Sequence, residues 1–287
     1  MKYYEVKFTL SPFSSDVADV LAALAGEAGF ESFENTADGL NGYVQQQLFD
    51  RDLLDMLLQS FPLPDTTITY TVNEAEDRDW NEQWEQEGFE PIVVDDRLVI
   101  HDGRHLPTAS AERMEVEIDA HLAFGTGTHE TTRMVCAALL ELFAASTVFS
   151  PRVLDCGCGT GILGIVAMKL GASECVAYDI DEWSVDNTRH NAVINQVELT
   201  SLQGDVSILN RVEGTFDLVM ANINRNILLA DMPMFCSKMS PEARLILSGF
   251  YTADIPLLAE KATTFGLTLT AQREDNGWAC IVLKAGD

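Results

Sequence analysis

The first 72 residues alternate between short runs with strand periodicity and short runs with helix periodicity. Residues 3–10 alternate apolar and polar side chains, as a half-buried strand does. The hydroxyl of Ser14 or Ser15 is expected to cap the first helix, and Pro62 follows the second. The predicted elements are a strand over 3–10, a helix that closes near residues 26–29, two strands within 30–44 around the turn 37–39, a helix over 51–59 and a strand over 66–72. The order β-α-β-β-α-β is typical of a ferredoxin-like α+β domain.

An acidic segment over residues 73–90 separates this region from the rest of the chain. Trp80 and Trp84 lie four residues apart, so they share one face of a predicted linker helix that packs on a neighbouring element. Pro91 ends this helix, and residues 92–100, with two aspartates in the middle, predict a hairpin. We therefore expect a small domain over 1–72, a helical linker over 73–90 and a larger domain over 91–287.

Longer strands and helices alternate from about residue 114 onward. Strands are predicted at 114–118, 153–155, 175–179, 199–202, 218–221, 243–248, 267–273 and 278–283, and helices at 131–144, 162–170, 182–195 and 255–265. This alternation predicts an α/β domain with a mostly parallel sheet covered by helices on both faces. The loop 274–277 has the composition of a hairpin turn, so the last strand is expected to run antiparallel to its neighbours.

The chain has a formal net charge of -27, from 45 acidic against 18 basic side chains in 287 residues. Such a surface repels nucleic-acid phosphate and anionic membranes and attracts basic partners, although the same charge also serves solubility. No run approaches the roughly 20 apolar residues that span a bilayer, and the N-terminus has no signal-peptide core. We expect a cytoplasmic monomer with reduced cysteines and no direct nucleic-acid or membrane binding.

A glycine-rich loop carries the first chemical signal. The strand 153–155 runs directly into Gly157, Gly159 and Gly161, and an apolar helix follows. Glycines let backbone N–H groups approach a ligand, and a helix N-terminus favours negative groups. A glycine triplet alone would also suit a nicotinamide-dependent oxidoreductase. Here the spacing is G-x-G-x-G, with Asp155 two residues before the first glycine. This pattern resembles the first motif of the class I methyltransferases, whose glycine loop holds the methionine part of S-adenosylmethionine.

Two carboxylates follow the next two predicted strands. Asp179 stands about 20 residues beyond the glycine loop, where a carboxylate accepts hydrogen bonds from both ribose hydroxyls of a nucleotide cofactor. Asp181 is the alternative residue for this role. Asp205 follows the third strand, and in this fold family a residue there often meets the adenine amino group. A helix cap or an exposed loop residue is the alternative interpretation of Asp205.

Asn222 stands at the carboxyl end of the fourth strand, the edge at which open α/β sheets bind ligands. Its side chain offers donors and an acceptor, so it can orient an amine by accepting an N–H. The position is similar to that of the Asn-Pro-Pro-Tyr motif of amino-methylating enzymes, although residues 223–225 here are Ile, Asn and Arg. That difference excludes a simple match to the base or glutamine N-methyltransferases, and a turn asparagine is the alternative.

A second glycine- and threonine-rich loop, residues 123–132, precedes the first by one helix. Its hydroxyls can cap the following helix. As a functional loop it would cover the adenosyl group, with Phe124 against that group and Thr132 in contact with the cofactor. His129 is interpreted as a residue that orders the loop. Cys156 and Cys158 form only a C-x-C pair and are interpreted as small buried residues rather than zinc ligands.

These motifs occur together in an order that resembles the PrmA family, bacterial methyltransferases that modify the eleventh protein of the large ribosomal subunit. Ser248-Gly249 and Trp278 fit the same pattern, and residues 101–105 depart from it. The resemblance implies a class I methyltransferase fold, a Rossmann-like seven-stranded sheet with the last strand antiparallel. It also implies methyl transfer from S-adenosylmethionine to lysine side-chain or N-terminal amines of that basic ribosomal protein. The small domain would recognise this substrate, and the linker would let it swing.

The resemblance assigns cofactor contacts to Thr132, Gly157, Asp179 and Asn222. To these we add Phe124, Gly159 and Asp205 from the motifs above, and Asn222 is expected to align the reacting amine. Three other functions stay open: an N-methyltransferase of the same fold acting on another protein or a small amine, a nicotinamide-dependent oxidoreductase, and an adaptor that has lost activity.

Overall fold

A computed structural model describes residues 3–36, 38–46, 48–63, 66–74, 88–106, 113–119, 129–145 and 149–286. The chain separates into two compact units, Met1–Trp80 and Asn81–Asp287. Most of the predicted linker, including Trp80 and Trp84, lies outside the described residues. The division into domains at residues 72 and 90 therefore stays a prediction.

The first unit contains β1 (Tyr3–Ser11), α1 (Ser15–Glu27), β2 (Phe30–Asn35), β3 (Gly39–Gln45), α2 (Arg51–Gln59) and β4 (Thr67–Glu74). Its described strands form an antiparallel sheet in the order β2-β3-β1-β4. This topology confirms the predicted β-α-β-β-α-β order.

Alternation along β1 places one row of side chains in the core of this unit. Val6, Phe8 and Leu10 are buried, whereas Lys7 and Thr9 between them are exposed. The oxygen Ser14 Oγ accepts from the backbone N–H of Val17 at 3.2 Å, so Ser14 rather than Ser15 caps α1. Of the two serines that the sequence offered as helix caps, Ser14 is the one that caps the helix.

The second unit begins with β5 (Ile92–Val94), β6 (Leu98–His101), β7 (Met114–Glu117) and α3 (Glu130–Ala144). It continues with β8 (Arg152–Cys156), α4 (Ile162–Lys169), β9 (Glu174–Asp179), α5 (Glu182–Ile194), β10 (Thr200–Gln203), β11 (Phe216–Asn222), α6 (Arg225–Ser237), β12 (Met239–Tyr251), α7 (Ile255–Thr263), β13 (Leu267–Asp275) and β14 (Trp278–Ala285). A short 3-10 helix, Val206–Arg211, follows β10.

The main sheet has, among the described residues, seven strands in the order β10-β9-β8-β11-β12-β14-β13. The five strands from β10 to β12 are parallel, and β14 runs antiparallel to both β12 and β13. Asn276 and Gly277, both with positive φ, make the two-residue turn between β13 and β14. The seven-stranded sheet with an antiparallel last strand is confirmed.

Two hydrophobic cores lie on opposite faces of this sheet. One packs α3 and α4 against it, and the other packs α6 and α7 against it. The predicted cover of helices on both faces is therefore confirmed. In the described part of the chain, no helix is long and apolar enough to cross a bilayer.

Two features of the second unit differ from the sequence prediction. The strand predicted at 114–118 is present as β7 (Met114–Glu117), but β7 pairs in parallel with β6 in a separate small sheet with β5. Helix α6 was not predicted, since Pro233 interrupts the pattern of Arg225–Ser237 and the helix buries only Leu228, Met232 and Phe235. Periodicity reports that a strand exists but not its partner, and a buried face can outweigh an internal proline.

Candidate active site

A cavity of about 720 Å³ opens at the carboxyl ends of β8, β9, β11 and β12. Strand β8 lies between β9 and β11, so the chain leaves β8 in one direction and later returns on its other side. Open α/β sheets bind ligands at such a point of reversal. Among the described residues, six of the predicted site residues line this cavity: Thr132, Gly157, Gly159, Asp179, Asp205 and Asn222.

The glycine loop closes the inner wall of the cavity. The loop glycines Gly157, Gly159 and Gly161 all have positive φ, between 53° and 81°. A Cβ on Gly157 would collide with the side chain of Ile223, and one on Gly161 would meet Thr188 at 2.9 Å. The G-x-G-x-G spacing is therefore required by backbone conformation and by close packing at the same positions.

Helix α5 holds this loop with buried polar side chains. Thr188 Oγ1 donates to the carbonyl of Gly159 at 2.9 Å, and Asn191 Nδ2 donates to the carbonyl of Thr160 at 2.9 Å. Asn191 Oδ1 also accepts from the N–H of Asp119 at 2.9 Å, and Asn195 Oδ1 accepts from that of Glu117 at 3.0 Å. One face of α5 thus connects the glycine loop to residues 117–119.

Sequence reasoning missed this face, which we call the α5 polar ladder: Asn187, Thr188, Asn191 and Asn195. Its members are buried, and Asn187 Oδ1 accepts from Asn191 Nδ2 at 2.8 Å. The signal was present in the sequence, because asparagines at 187, 191 and 195 recur every fourth residue on one helical face. Buried polar side chains at that spacing require partners, and here the partners are mainly backbone groups.

Asp179 is fixed at the end of β9 by two backbone hydrogen bonds. Its Oδ2 accepts from the N–H of Gly159 at 3.0 Å, and its Oδ1 accepts from that of Asp181 at 3.1 Å. Asp181 instead caps α5, accepting from Ser184 N at 3.2 Å. Of these two aspartates, Asp179 is the one that lines the cavity.

Asp205 caps a helix, as one interpretation of the sequence expected, while its contact with adenine stays a prediction. It caps the 3-10 helix that follows β10, accepting from the N–H of Ser207 at 2.9 Å, and it also lines the cavity. The hydrogen bonds from Ser207 lower the pKa of Asp205. A third carboxylate, Asp231 of α6, lines the same cavity and was missed because α6 was not predicted. Burial, and then the charge of Asp205, raise the pKa of Asp231.

Asn222 and Thr132 meet at the edge of the cavity. Asn222 Nδ2 donates to Thr132 Oγ1 at 3.4 Å, and Asn222 Oδ1 is buried with no hydrogen-bond partner among the described residues. Thr132 lies in the first turn of α3, which His129 caps by accepting from the N–H of Thr131 at 3.2 Å. A buried carbonyl oxygen without a partner costs about 1–3 kcal/mol, so a bound donor would stabilise it.

Asp155 stands beneath the glycine loop and outside the cavity. It is buried, its Oδ2 accepts from Gly164 N at 3.0 Å, and its Oδ1 has no partner among the described residues. Burial raises the pKa of Asp155 to about 7. The carboxyl group therefore fastens the first turn of α4 to β8. Its neighbour Cys156 is buried in the core, and Cys158 lines the cavity.

An aromatic group lies at the edge of the cavity. Trp278, at the start of β14, lines the cavity and stacks on Tyr251, with ring centroids 4.3 Å apart and an interplanar angle of 29°. The ring of His129 meets Trp278 edge-on, with centroids 4.8 Å apart. The sequence singled out Trp278 only as part of a resemblance. Phe124, the remaining predicted contact, lies outside the described residues.

The chain is similar in sequence to known proteins of one family. The family described as "Ribosomal protein L11 methyltransferase (PrmA)" matches residues 22–286 of the chain. The chain belongs to this family. The ribosomal protein L11 methyltransferase of Phocaeicola vulgatus is 46% identical over 282 residues, which cover 98% of each chain. The protein of that name from Bacteroides fragilis is 47% identical over 282 residues, 98% of this chain and 99% of its own.

A solved PrmA-family structure agrees with the fold of the second unit. The crystal structure of ribosomal protein L11 methylase from Lactobacillus delbrueckii subsp. bulgaricus superposes with a TM-score of 0.62 at 26% identity. It covers 69% of this chain and all of that chain. The predicted class I methyltransferase fold and the predicted family are confirmed, and the cavity belongs to an S-adenosylmethionine-dependent methyltransferase.

Proposed function

We propose that this protein transfers methyl groups from S-adenosylmethionine to lysine side-chain or N-terminal amines of ribosomal protein L11. The observation that carries the proposal is the buried oxygen Asn222 Oδ1, which has no partner among the described residues and belongs to a side chain that lines the same cavity as Asp179 and the glycine loop. An acceptor at this edge of a methyltransferase sheet is suited to hold the N–H of an amine.

The residues of the cavity fit S-adenosylmethionine. The glycine loop offers backbone without side chains, and Asp179 presents two carboxylate oxygens for the vicinal hydroxyls of a ribose. The volume of about 720 Å³ lies within the roughly 300–1,000 Å³ usual for small-molecule sites. The described lining contains Asp179, Asp205 and Asp231 but no Lys or Arg, which suits a cationic ligand. When bound, S-adenosylmethionine supplies an electrophilic methyl group on a positively charged sulfur.

The chain's own residues hold and dehydrate the amine. Asn222 is itself positioned by Thr132, so its free carbonyl oxygen has a fixed direction. Ile223 and Ile227 give this part of the lining an apolar character that partly removes water from the reacting nitrogen. A lysine amine, with a reference pKa of about 10.4, must first lose a proton, whereas an α-amine near 8 loses one more readily.

Ribosomal protein L11 is proposed as the substrate because both relatives carry that name over almost their whole length. A net charge of -27 attracts a basic partner through long-range electrostatic steering. The first unit contains a complete sheet with its own core but none of the residues that line the cavity. It is proposed as the surface that recognises the substrate.

Mass spectrometry of purified ribosomal protein L11 tests this function. After incubation with the enzyme and S-adenosylmethionine, mass gains in multiples of one CH₂ unit are expected on lysines or the N-terminus. The Asp179→Ala variant serves as the control and should give a smaller gain when S-adenosylmethionine is kept below its Kd. A wild-type enzyme that binds S-adenosylmethionine but leaves L11 unmodified would redirect the proposal to another protein or small amine.

A further inference from the structure

In the aromatic group at the cavity edge, Trp278, Tyr251 and His129, only His129 has a role assigned above, as the cap of α3. Trp278 and Tyr251 are direct partners in the register between β12 and β14. Trp278 is half-buried and packs on the core beneath it, whereas Tyr251 is 56% exposed. The stack therefore extends from the cavity to the protein surface.

Backbone packing places this aromatic group beside Asn222. In the sheet, Asn222 pairs with Ser248 of β12, and three residues later Tyr251 pairs with Trp278. Gly249 lies between them with a φ of +90°, and a Cβ there would lie 2.5 Å from the carbonyl oxygen of Ile223. The end of β12 is thus pressed against the residue that follows Asn222, and Trp278 and Asn222 line one cavity.

The chain segments that carry the two rings are held by contacts with neighbouring elements. Tyr251 N donates to Asp254 Oδ2 at 3.2 Å, and Arg225 of α6 pairs with Asp254 at 2.8 Å. On the opposite side, Asn276 Nδ2 donates to Glu130 Oε1 at 2.9 Å, which connects the turn before Trp278 to α3. These contacts fix the backbone on either side of the stacked rings.

The charge of the cavity as a whole favours a cationic ligand. Carboxylates of Asp179, Asp205 and Asp231 line it, and no Lys or Arg does so among the residues that the structure describes. An aromatic face attracts a cation within about 6 Å of its centroid, and quaternary ammonium groups are recognised in this way. A site with both features selects an alkylammonium group over a neutral group of the same shape.

We infer that Trp278, supported by Tyr251, binds the alkylammonium end of the substrate amine and of its methylated products. This inference rests on the proposed amine methylation. In the transfer the nitrogen lone pair forms the N–C bond while the S–C bond breaks, its electron pair stays on sulfur, and the product ammonium releases a proton to water. Positive charge therefore develops on nitrogen beside the indole ring. A group that meets this charge stabilises the transition state more than the neutral amine.

Direct binding of two small probes tests this role without any methylation assay. The probes are Nα-acetyl-Nε-trimethyl-lysine methylamide and its neutral analogue, in which carbon replaces the charged nitrogen. Their Kd values are measured by NMR titration of the full-length enzyme with S-adenosylhomocysteine present. The cationic probe should bind the wild-type enzyme about threefold or more tightly than the neutral one, and Trp278→Leu should bring this ratio to about one.

Variants of Tyr251 extend the test to an exposed position. Tyr251→Phe keeps the stacked ring and should keep the ratio, whereas Tyr251→Leu should lower it, and thermal melts verify that each variant is folded. Equal affinities in the wild-type enzyme, no binding of either probe, or an unchanged ratio in both Leu variants would overturn the inference. If L11 stays unmethylated while the cationic probe still binds more tightly than the neutral one, the proposed substrate is wrong and the aromatic site is supported. If L11 is methylated but the two probes bind equally, the proposed function is supported and the aromatic site is wrong.

Discussion

Asn222 and Thr132 are 90 positions apart in the sequence, and their side chains meet at 3.4 Å where β11 ends and α3 begins. This contact uses the amide nitrogen of Asn222, whose side chain lines the cavity, and leaves its buried carbonyl oxygen without a partner among the described residues. The donor side of the asparagine is therefore used for positioning, and the acceptor side is available for the amine.

The Asn222→Ala variant tests this division of roles. We expect kcat to fall by about 100-fold, since a misplaced amine loses its alignment with the methyl group, while the Kd for S-adenosylmethionine rises much less. Single-turnover rates and calorimetric titration measure the two quantities. Thr132→Ser keeps the hydroxyl and should stay near the wild-type rate, whereas Thr132→Val removes it and should be slower. Full activity in Asn222→Ala would refute the alignment role.

Asp179 and Asp181 form a matched pair for testing cofactor recognition. Asp179→Ala should weaken S-adenosylmethionine binding by about tenfold or more, because hydrogen bonds to a charged group contribute about 1.5–3 kcal/mol each. Asp181→Ala removes the cap of α5 and should lower stability by about 1 kcal/mol while leaving the Kd close to its wild-type value. Calorimetry and thermal melts separate these effects, and equal losses of affinity in both variants would contradict the assignment.

Alanine variants at Gly157 and Gly266 distinguish the effect of backbone strain from loss of the binding surface. Both have positive φ, 73° and 76°, but only at Gly157 would a Cβ collide, with Ile223, whereas nothing described lies within 4 Å of a Cβ at Gly266. An alanine at either position should cost about 1–2 kcal/mol of folding free energy from strain. Only Gly157→Ala should also impair S-adenosylmethionine binding. Urea denaturation and calorimetry measure both, and unchanged affinity in Gly157→Ala would show that the loop does not contact the cofactor.

Asp155 predicts a dependence of stability on pH. Burial raises its pKa to about 7 in the folded state, from an ordinary value of 3.8. The folded state then holds the proton more tightly, so its contribution to stability is greatest below about pH 4 and is lost as the pH rises toward 7. Each pKa unit corresponds to roughly 1.4 kcal/mol.

Urea denaturation between pH 4 and pH 8 checks this slope against Asp155→Asn, which does not titrate there. Other groups titrate in both proteins, so the quantity of interest is the difference between their free energies of unfolding. That difference should change in favour of Asp155→Asn as the pH rises through this window. A constant difference would show that Asp155 ionises in the folded protein as it does in the unfolded chain.

Ionic strength tests the attraction between this acidic chain and a basic substrate. The kcat/KM for ribosomal protein L11 should fall as salt rises, because screening shortens the range of attraction to about 10 Å at 0.1 M. The kcat at saturating substrate should change little. A kcat/KM that is independent of salt would count against electrostatic steering.

The sequence predicted the fold of both units because their periodic segments carry strong local signals. The hairpin at Asp95 and Asp96 was recognised from its turn residues, and both have the positive φ that such a turn needs. By contrast, the partner of β7 depends on contacts that no local pattern encodes. Helix α6 was hidden by Pro233, and Asp231 was missed with it.

The site could be predicted where the residue types and spacing of a motif indicate its chemical role. Glycine spacing, Asp179, Asp205 and Asn222 stand at strand ends, and topology alone brings strand ends together. The role of Trp278 could not be predicted in the same way, because it depends on a ring stacked from a different strand. The partners of the α5 polar ladder are mainly backbone atoms. The residue types at the partner positions therefore do not indicate these hydrogen bonds.

Because its partners are mainly backbone groups, the α5 polar ladder determines which neighbouring positions can vary among relatives. The α5 polar ladder binds backbone carbonyl and N–H groups. The side chains at Thr160 and Asp119 can therefore be substituted while these hydrogen bonds are kept. Asn191 has no such freedom, because aspartate lacks the donor, leucine lacks both polar groups and glutamine displaces them by one carbon. Across the family, substitutions should therefore be more frequent at positions 160 and 119 than on the buried face of α5.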